Sequence, residues 1–399
     1  MKKALILGAG FSGCTIAYLL KEKGWDCTIV EKESFMGGSV RTFFMGGHPY
    51  TLGPRVYYGY SEKIWNWLDS FIEMRRFPLF LQSYVESEKR FFTYPIHEDD
   101  IPMMKVKDQV YKELKERDLK KQVKNFEEYW QTSVGPTLYD MFVNQYSKKM
   151  WMIDSNTKLD TFKWSAKDKP LATGVKDAYK GSVMGYPVGH AGYNPYFDVA
   201  TQGVKVHLNE AAANVDLAGR SVTLSTGEKI NGDILISSIP IDELWNYSQG
   251  ELPYVGRDFI PFVLPCKQVF PLDVRFAHYT GKEPYTRIVE YKKLTYHEAE
   301  DTLLVMEIPS KSNKLYPYMI KEHLDKAKRY CEALPKDVYS IGRLGIYKYT
   351  TIEQTICGCF GLYKDLTGES IDGLEKEFYQ IGDTGIMKNR KTGDKPSNF

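Results

Sequence analysis

An α/β fold is predicted, with a parallel sheet begun at the N-terminus and an antiparallel sheet added later in the chain. Three observations predict it. Residues 3–7 (KALIL) are a fully apolar run of strand length, as a central parallel strand covered on both faces requires. A glycine-rich turn, GAGFSG at 8–13, follows at once, and behind it CTIAYLLKEKG repeats its apolar residues at helical spacing and stops at Gly24. Residues 203–240 and 251–310 then alternate apolar and polar side chains as strands do.

The elements follow in order. Residues 26–31 (DCTIVE) read as a second strand ending in an acid, so the opening unit is strand, glycine turn, helix, strand, acid. Residues 60–130 are expected to be helical, with Trp65, Trp67 and Leu68 on one buried face. The charged run that closes this stretch reads as a solvated helix face with i,i+4 partners. Residues 136–153 continue with a further helix carrying aromatics on one side. VKVHLN, then a hairpin around Ser225-Thr226-Gly227, then the apolar ILIS form a β meander whose last strand returns to the first sheet. Helices are expected at 320–332 and 352–366, and the final MKNRKTGDKPSNF is expected to be polar and loose. The predicted division places one nucleotide-binding domain in three parts, 1–60, 201–245 and 336–370. A mostly helical insert (61–150), a substrate-side segment with a mobile loop (151–200), an antiparallel β substrate domain (246–335) and a polar tail (371–399) complete it.

Composition excludes several functions. With 53 basic against 51 acidic residues the net charge is +2, so no nucleic-acid partner is expected. The 399 residues are 43% apolar and 14% aromatic, too much for a disordered chain and enough for more than one packed core. Six scattered cysteines include one close pair, Cys357-Gly-Cys359, which lacks the spacing of a zinc site; no metal is expected, and reduced, buried thiols are. The opening Met-Lys-Lys-Ala-Leu-Ile-Leu starts like a leader, but its apolar run stops at Gly8; with no apolar run of membrane-spanning length, a soluble cytoplasmic protein without a membrane partner is the expectation.

The glycine turn carries chemistry. In GxGxxG, Gly8 allows a tight turn, Gly10 lets backbone approach a pyrophosphate, and Gly13 lets helix pack on strand. The helix behind it presents free N–H groups and a positive dipole end to phosphate. Glu31, 18 residues past Gly13, is placed to accept from ribose hydroxyls. Phe11, Ser12 and Lys32 belong to the same site. Shortly after, Gly37-Gly38-Ser39 would let the chain pass close to a bound dinucleotide, a habit of flavoproteins of the glutathione-reductase and amine-oxidase type. With the late β meander this predicts a Rossmann-type FAD-binding domain. No second strand–glycine–helix unit for a nicotinamide is evident.

Three further stretches, behind that fingerprint, carry a family resemblance. They are QYSKKMW at 145–151 ahead of GYPVG at 185–189, PYTRIVE at 284–290, and GRLGIYKY at 342–349. In this order they resemble UDP-galactopyranose mutase, a flavoenzyme that interconverts pyranose and furanose forms of a nucleotide sugar, over residues 3 to about 365. The resemblance implies a homodimer, FAD active in its reduced form after reduction by NAD(P)H or another donor, attack by that cofactor at the anomeric carbon, and no net redox change. It also assigns residues. Arg287 and Arg343 are the catalytic pair gripping the diphosphate, with Tyr316 and Tyr349 beside them. Phe142 and Tyr146 form the platform for the base, while Trp151 and Tyr179 line the sugar pocket. Gly342, Thr351 and Ile352 join Arg343 against the cofactor.

The chain also departs from that family's pattern. The histidine-bearing stretch after the double glycine is here Gly53-Pro54-Arg55-Val56-Tyr57-Tyr58-Gly59. Arg55, Val56 and Tyr58 are expected to serve cofactor or diphosphate in its place. An asparagine ahead of PYTR is replaced by Arg275, and an acid after the YKY run by Thr351. A mobile-loop arginine has no match; Lys167 and Lys169 stand there instead, point charges without a fork. The changes predict a substrate that is UDP-galactose or a relative such as dTDP-fucose, UDP-N-acetylgalactosamine or a GDP-linked deoxysugar or heptose. The rival readings are an FAD oxidoreductase of the amine-oxidase or desaturase class and a non-catalytic flavin-binding protein.

Overall fold

A computed structural model describes residues 1–159, 171–271, 273–374 and 387–388. Strand Lys3–Leu7 is buried except at its first residue and lies at the middle of a six-stranded sheet. The sheet order is Lys205–His207, Asp26–Val30, Lys3–Leu7, Ile234–Ser237, Val338–Ser340 and Met387–Lys388. The first four pairings are parallel and the last antiparallel. Being covered on both faces is what demands the unbroken apolar runs KALIL and ILIS. Helix Phe11–Glu22 packs on one face together with helix Ile352–Thr367, and the meander Ala212–Asp216, Ser221–Leu224, Lys229–Asn231 follows as a small antiparallel sheet. The expected hairpin is therefore present, with its last strand returned to the parallel sheet.

The second layer is a seven-stranded sheet in the order Tyr316–Pro317, Tyr254–Leu264, Thr302–Ser310, Arg287–Glu290, Val274–Tyr279, Phe80–Val85 and Arg90–Tyr94. Three strands, two of them in this sheet and Met74–Arg76 in a small separate one, correct the sequence reading. Residues 61–150 were expected to be mostly helical, yet Met74–Arg76, Phe80–Val85 and Arg90–Tyr94 are strands, and Phe80–Val85 pairs parallel with Val274–Tyr279. The physical signal is in FLQSYV, whose residues alternate half-buried and buried between Pro78 and a turn at 86–89. The remaining part of that insert is helical: Glu62–Asp69, Lys107–Glu116 and Phe126–Val134. The helix expected at 136–153 is three pieces, Pro136–Tyr139, a wider turn Asp140–Asn144, and Gln145–Trp151. The polar tail is not wholly loose, because the backbone of Met387–Lys388 adds an edge strand beside Tyr339 and Ser340. Helices Lys321–Glu332 and Ile352–Thr367 fall within a residue of their expected ends. No helix among the described residues is long and apolar enough to cross a membrane.

Candidate functional site

One large cavity, about 1450 Å³, opens at the carboxyl ends of the parallel strands and runs to the antiparallel sheet. Leu7, Val30 and Ser238 line it from the first sheet, and Phe276, Arg287 and Tyr316 from the second. A site for one small ligand commonly spans about 300–1,000 Å³. This one has room for two ligands side by side.

The parallel-sheet end is built from backbone. At Gly13 a Cβ would lie 1.9 Å from the Gly8 carbonyl oxygen, so the residue is spent on helix–strand packing, not on the cavity. At Gly10 nothing lies within 4 Å of a would-be Cβ, and Gly10 lines the cavity. Helix Phe11–Glu22 starts behind Gly10 with no side-chain cap, leaving its first N–H groups for a ligand. Glu31 is held by backbone, accepting from Ala9 N at 2.7 Å and Glu33 N at 2.9 Å. Gly37 N donates to Ala9 O at 2.8 Å, which brings the 37–39 turn beside Gly10. A second helix N-terminus faces the same space. There Thr351 and Gln354 cap each other reciprocally at the start of Ile352–Thr367, and Thr351, Ile352, Gln354 and Thr355 line the wall. An open cradle at Gly10 between two long-helix N-termini fits the pyrophosphate of a dinucleotide.

The other end is cationic. Arg287 donates Nε to Glu307 Oε1 at 3.0 Å and Nη2 to Oε2 at 2.6 Å. Arg343 donates Nη2 to Thr350 O at 2.6 Å and lies over the rings of Tyr349 (4.6 Å) and Tyr316 (5.3 Å). Those two rings stack, 5.8 Å apart and 10° from parallel. Arg257 lies 5.1 Å over the Tyr316 ring and donates to Gly256 O at 2.6 Å. Arg55 donates Nε to Ser39 O at 3.1 Å. Burial pulls the Arg257 and Arg343 guanidiniums below their ordinary value without emptying so basic a group. Arg287 moves upward: burial opposes its charge, but Glu307 outweighs that cost. For Tyr316 burial favours the neutral phenol, yet Arg55, Arg257, Arg343 and Arg287 together bring its pKa below the ordinary value. The arrangement is one for anions.

Most of the sequence-predicted residues come together here. Gly8, Gly10, Phe11, Ser12, Glu31, Lys32, Gly38, Ser39, Arg55, Val56, Gly342, Arg343, Thr351 and Ile352 line the cavity. So do Tyr58, Tyr179, Arg287, Tyr316 and Tyr349, with the Tyr58 and Tyr179 rings 4.8 Å apart. Four expected ligand contacts are placed elsewhere. Trp151 is fully buried in the core of the helical insert. Phe142 and Tyr146 flank a separate crevice of about 30 Å³ with Tyr94, Pro95 and Trp130, and the Tyr146 hydroxyl meets His278 Nδ1 at 2.9 Å. Burial pushes the Tyr146 phenol up to about 12. Arg275 turns away from the cavity, over the Phe77 ring at 4.3 Å and donating to the Tyr296 hydroxyl at 3.2 Å. Lys167 and Lys169 lie outside the described residues. Sequence reasoning missed Phe276, which lies under Arg287 at 5.1 Å, as well as Arg257 and Glu307. Glu307 had a signal: an acid inside the apolar strand TLLVMEIPS must have a partner.

Fold and cavity thus define a class, a two-layer nucleotide-binding α/β protein whose dinucleotide cradle faces a cluster of arginines. A sequence profile described as an NAD(P)-binding Rossmann-like domain matches residues 6–71. That of UDP-galactopyranose mutase matches residues 141–349, and the chain belongs to this family. Among its relatives, the dTDP-fucopyranose mutase of Escherichia coli is 25% identical over 385 residues, covering 90% of this chain and 96% of that protein. The UDP-galactopyranose mutase of Mycoplasma pneumoniae is 22% identical over 391 residues, 88% and 93% of the two chains. A crystal structure of reduced UDP-galactopyranose mutase shares the fold at a TM-score of 0.77 and 16% identity, covering 96% of this chain and 99% of that one.

Proposed function

We propose that this protein is a flavin-dependent mutase that interconverts the pyranose and furanose forms of a nucleoside-diphosphate sugar, with FAD as its cofactor. The observation that supports this most is the single cavity that joins a pyrophosphate cradle to a guanidinium cluster. When bound in its reduced form, FAD supplies the nucleophile for the anomeric carbon with no net oxidation. The chain's residues do the rest. Gly10, the 37–39 turn and the two helix N-termini hold the dinucleotide; Arg287 and Arg343 grip the diphosphate as it leaves and returns, where fixed charges act most strongly once bound ligands displace water. Tyr316 and Tyr349 add hydroxyls beside them, and Tyr58, Tyr179 and Phe276 close the apolar wall that keeps the sugar from water.

The substrate in this reading is UDP-galactose or a relative such as dTDP-fucose, the choice being set by side chains around Tyr58 and Tyr179 and not by the arginine grip. A homodimer and a cytoplasmic location belong to the same reading; sedimentation and cell fractionation test them. The deciding experiment incubates dithionite-reduced, FAD-loaded protein with a panel of nucleotide sugars and resolves the ring forms by chromatography. Interconversion without stoichiometric consumption of reductant is expected. A protein that oxidises a substrate one-for-one with flavin reduction, or that leaves every nucleotide sugar unchanged, would overturn the proposal.

A further inference from the structure

Arg55 is the feature of the cavity that gripping a diphosphate does not use up. Its backbone is left-handed, φ 41°, a conformation that costs a residue with a side chain and persists only where the surroundings enforce it. They do so here: the fully buried Tyr193 donates its hydroxyl to Arg55 O at 2.8 Å, and Arg55 Nε donates to Ser39 O at 3.1 Å. The guanidinium is thereby tied to the 37–39 turn at the dinucleotide end. Its Nη2 is buried and has no hydrogen-bond partner, although Arg55 lines the cavity. On its other side stands Arg287: a Cβ built on Gly53 would be 3.8 Å from both guanidiniums. Arg55 therefore sits at the seam between the two halves of the site.

The charge count points the same way. Arg55, Arg257, Arg287 and Arg343 gather around Tyr316, and among the described residues one carboxylate, that of Glu307, pairs with any of them. The excess is three positive charges. A nucleotide-sugar diphosphate engages Arg287 and Arg343 from one end of the cavity, which leaves Arg55, tied to the dinucleotide end, for an anion there. A flavin that has taken up two electrons and one proton carries one negative charge on its ring.

We propose that Arg55 is the counter-charge of the reduced flavin, holding that ring in its anionic form and raising the potential at which the cofactor is reduced. The inference rests on the flavin reading given above. It assigns to Arg55 a part that the histidines of the family pattern, present there and absent here, would fill only when protonated. The other groups facing Arg55 are Arg343, Arg287, Tyr316 and Tyr349 across the cavity, and Tyr186 and Tyr193 behind it, both kept neutral by burial.

The test uses full-length protein loaded with FAD, as wild type, Arg55→Gln and Arg55→Lys, equilibrated anaerobically with a redox dye. Arg55→Gln is expected to shift the reduced-to-oxidised ratio at a fixed dye potential about tenfold toward oxidised, a midpoint about 30 mV lower for a two-electron couple. The break in its potential-against-pH plot moves to higher pH, because the reduced ring holds its second proton longer. Arg55→Lys keeps at least half of the wild-type shift. A purely structural role would lower FAD affinity or Tm and leave both the potential and the break in place; that result, with FAD retained, overturns the inference while leaving the mutase reading intact. A shifted potential in a protein inert toward every nucleotide sugar would uphold Arg55 and sink the mutase reading. A wild-type chain that takes up no flavin would overturn both.

Discussion

Arg287 and Glu307 face each other in register across adjacent antiparallel strands, and both guanidinium–carboxylate hydrogen bonds are made, at 3.0 and 2.6 Å. The pair does two things at once. Glu307, 1% exposed, keeps Arg287 charged in a buried wall, and the fork it imposes aims the remaining N–H groups at the cavity. Arg287→Ala is therefore expected to reduce mutase turnover by about 10²–10³-fold, the scale of losing one fixed donor to developing charge. Arg287→Lys restores little, since a point charge cannot occupy the fork. Single-turnover measurement of ring-form interconversion checks both, and wild-type turnover in the alanine variant would refute the assignment.

Glu307→Gln attacks the same pair from the other side. It leaves the Arg287 charge without its partner, but the cavity admits some water, so the cost falls below that of a fully buried pair, at about 2–3 kcal/mol. Chemical denaturation reads it. A variant as stable as wild type would show that Arg287 finds another anion.

The two glycines of the fingerprint are expected to fail differently. At Gly13 a Cβ meets the Gly8 carbonyl oxygen at 1.9 Å, so Gly13→Ala disturbs helix–strand packing and costs about 1–3 kcal/mol of stability. At Gly10 a Cβ meets no protein atom, so Gly10→Ala leaves Tm nearly unchanged while FAD is retained more weakly on gel filtration. Equal losses of stability in the two variants would mean that the cavity end of the turn is not the cradle.

Asp100 sets a pH dependence at the far edge of the antiparallel sheet. Burial disfavours its charge, but Lys176 Nζ at 2.8 Å and Thr93 N at 2.6 Å more than offset this, and its pKa is held below the ordinary carboxyl value. A depressed folded pKa stabilises the protein above the unfolded value near 3.9, and the contribution disappears as pH falls through the folded value. Asp100→Asn is expected to cost about 1–2 kcal/mol at neutral pH and progressively less below about pH 4. Urea titrations at both pH values decide it; a pH-independent loss would mean the effect is packing alone.

Tyr316 is expected to ionise below the ordinary phenol range, since four guanidiniums outweigh its burial. Ultraviolet difference titration of the cofactor-free protein should show one early tyrosinate step, absent in Tyr316→Phe and displaced upward when a nucleoside diphosphate neutralises the arginines. A titration identical in Tyr316→Phe would assign the step to another tyrosine.

Where the sequence could be read, a local rule was enough. KALIL, GAGFSG and Glu31 state a strand, a glycine turn into a helix and an acid closing the second strand, because each needs only neighbours within one βαβ unit. Arg287 and Arg343 were legible through the family motifs that carry them, and the structure sets both on the cavity wall. What the motifs left open was direction. Arg275 resembled a ligand by position, yet it is buried away from the cavity against Phe77, and Trp151 spends its ring on the insert's core. Phe80–Val85 was lost under a helical neighbourhood because its partner, Val274–Tyr279, is nearly two hundred residues away. Arg55 came from a broken pattern, but its tie to Ser39 and its place with Arg287 around Gly53 exist only once two sheets have closed on one cavity. Residue type decides what a group can do and folds into local rules; which groups share a space is settled by long-range pairing, which no stretch of sequence carries by itself.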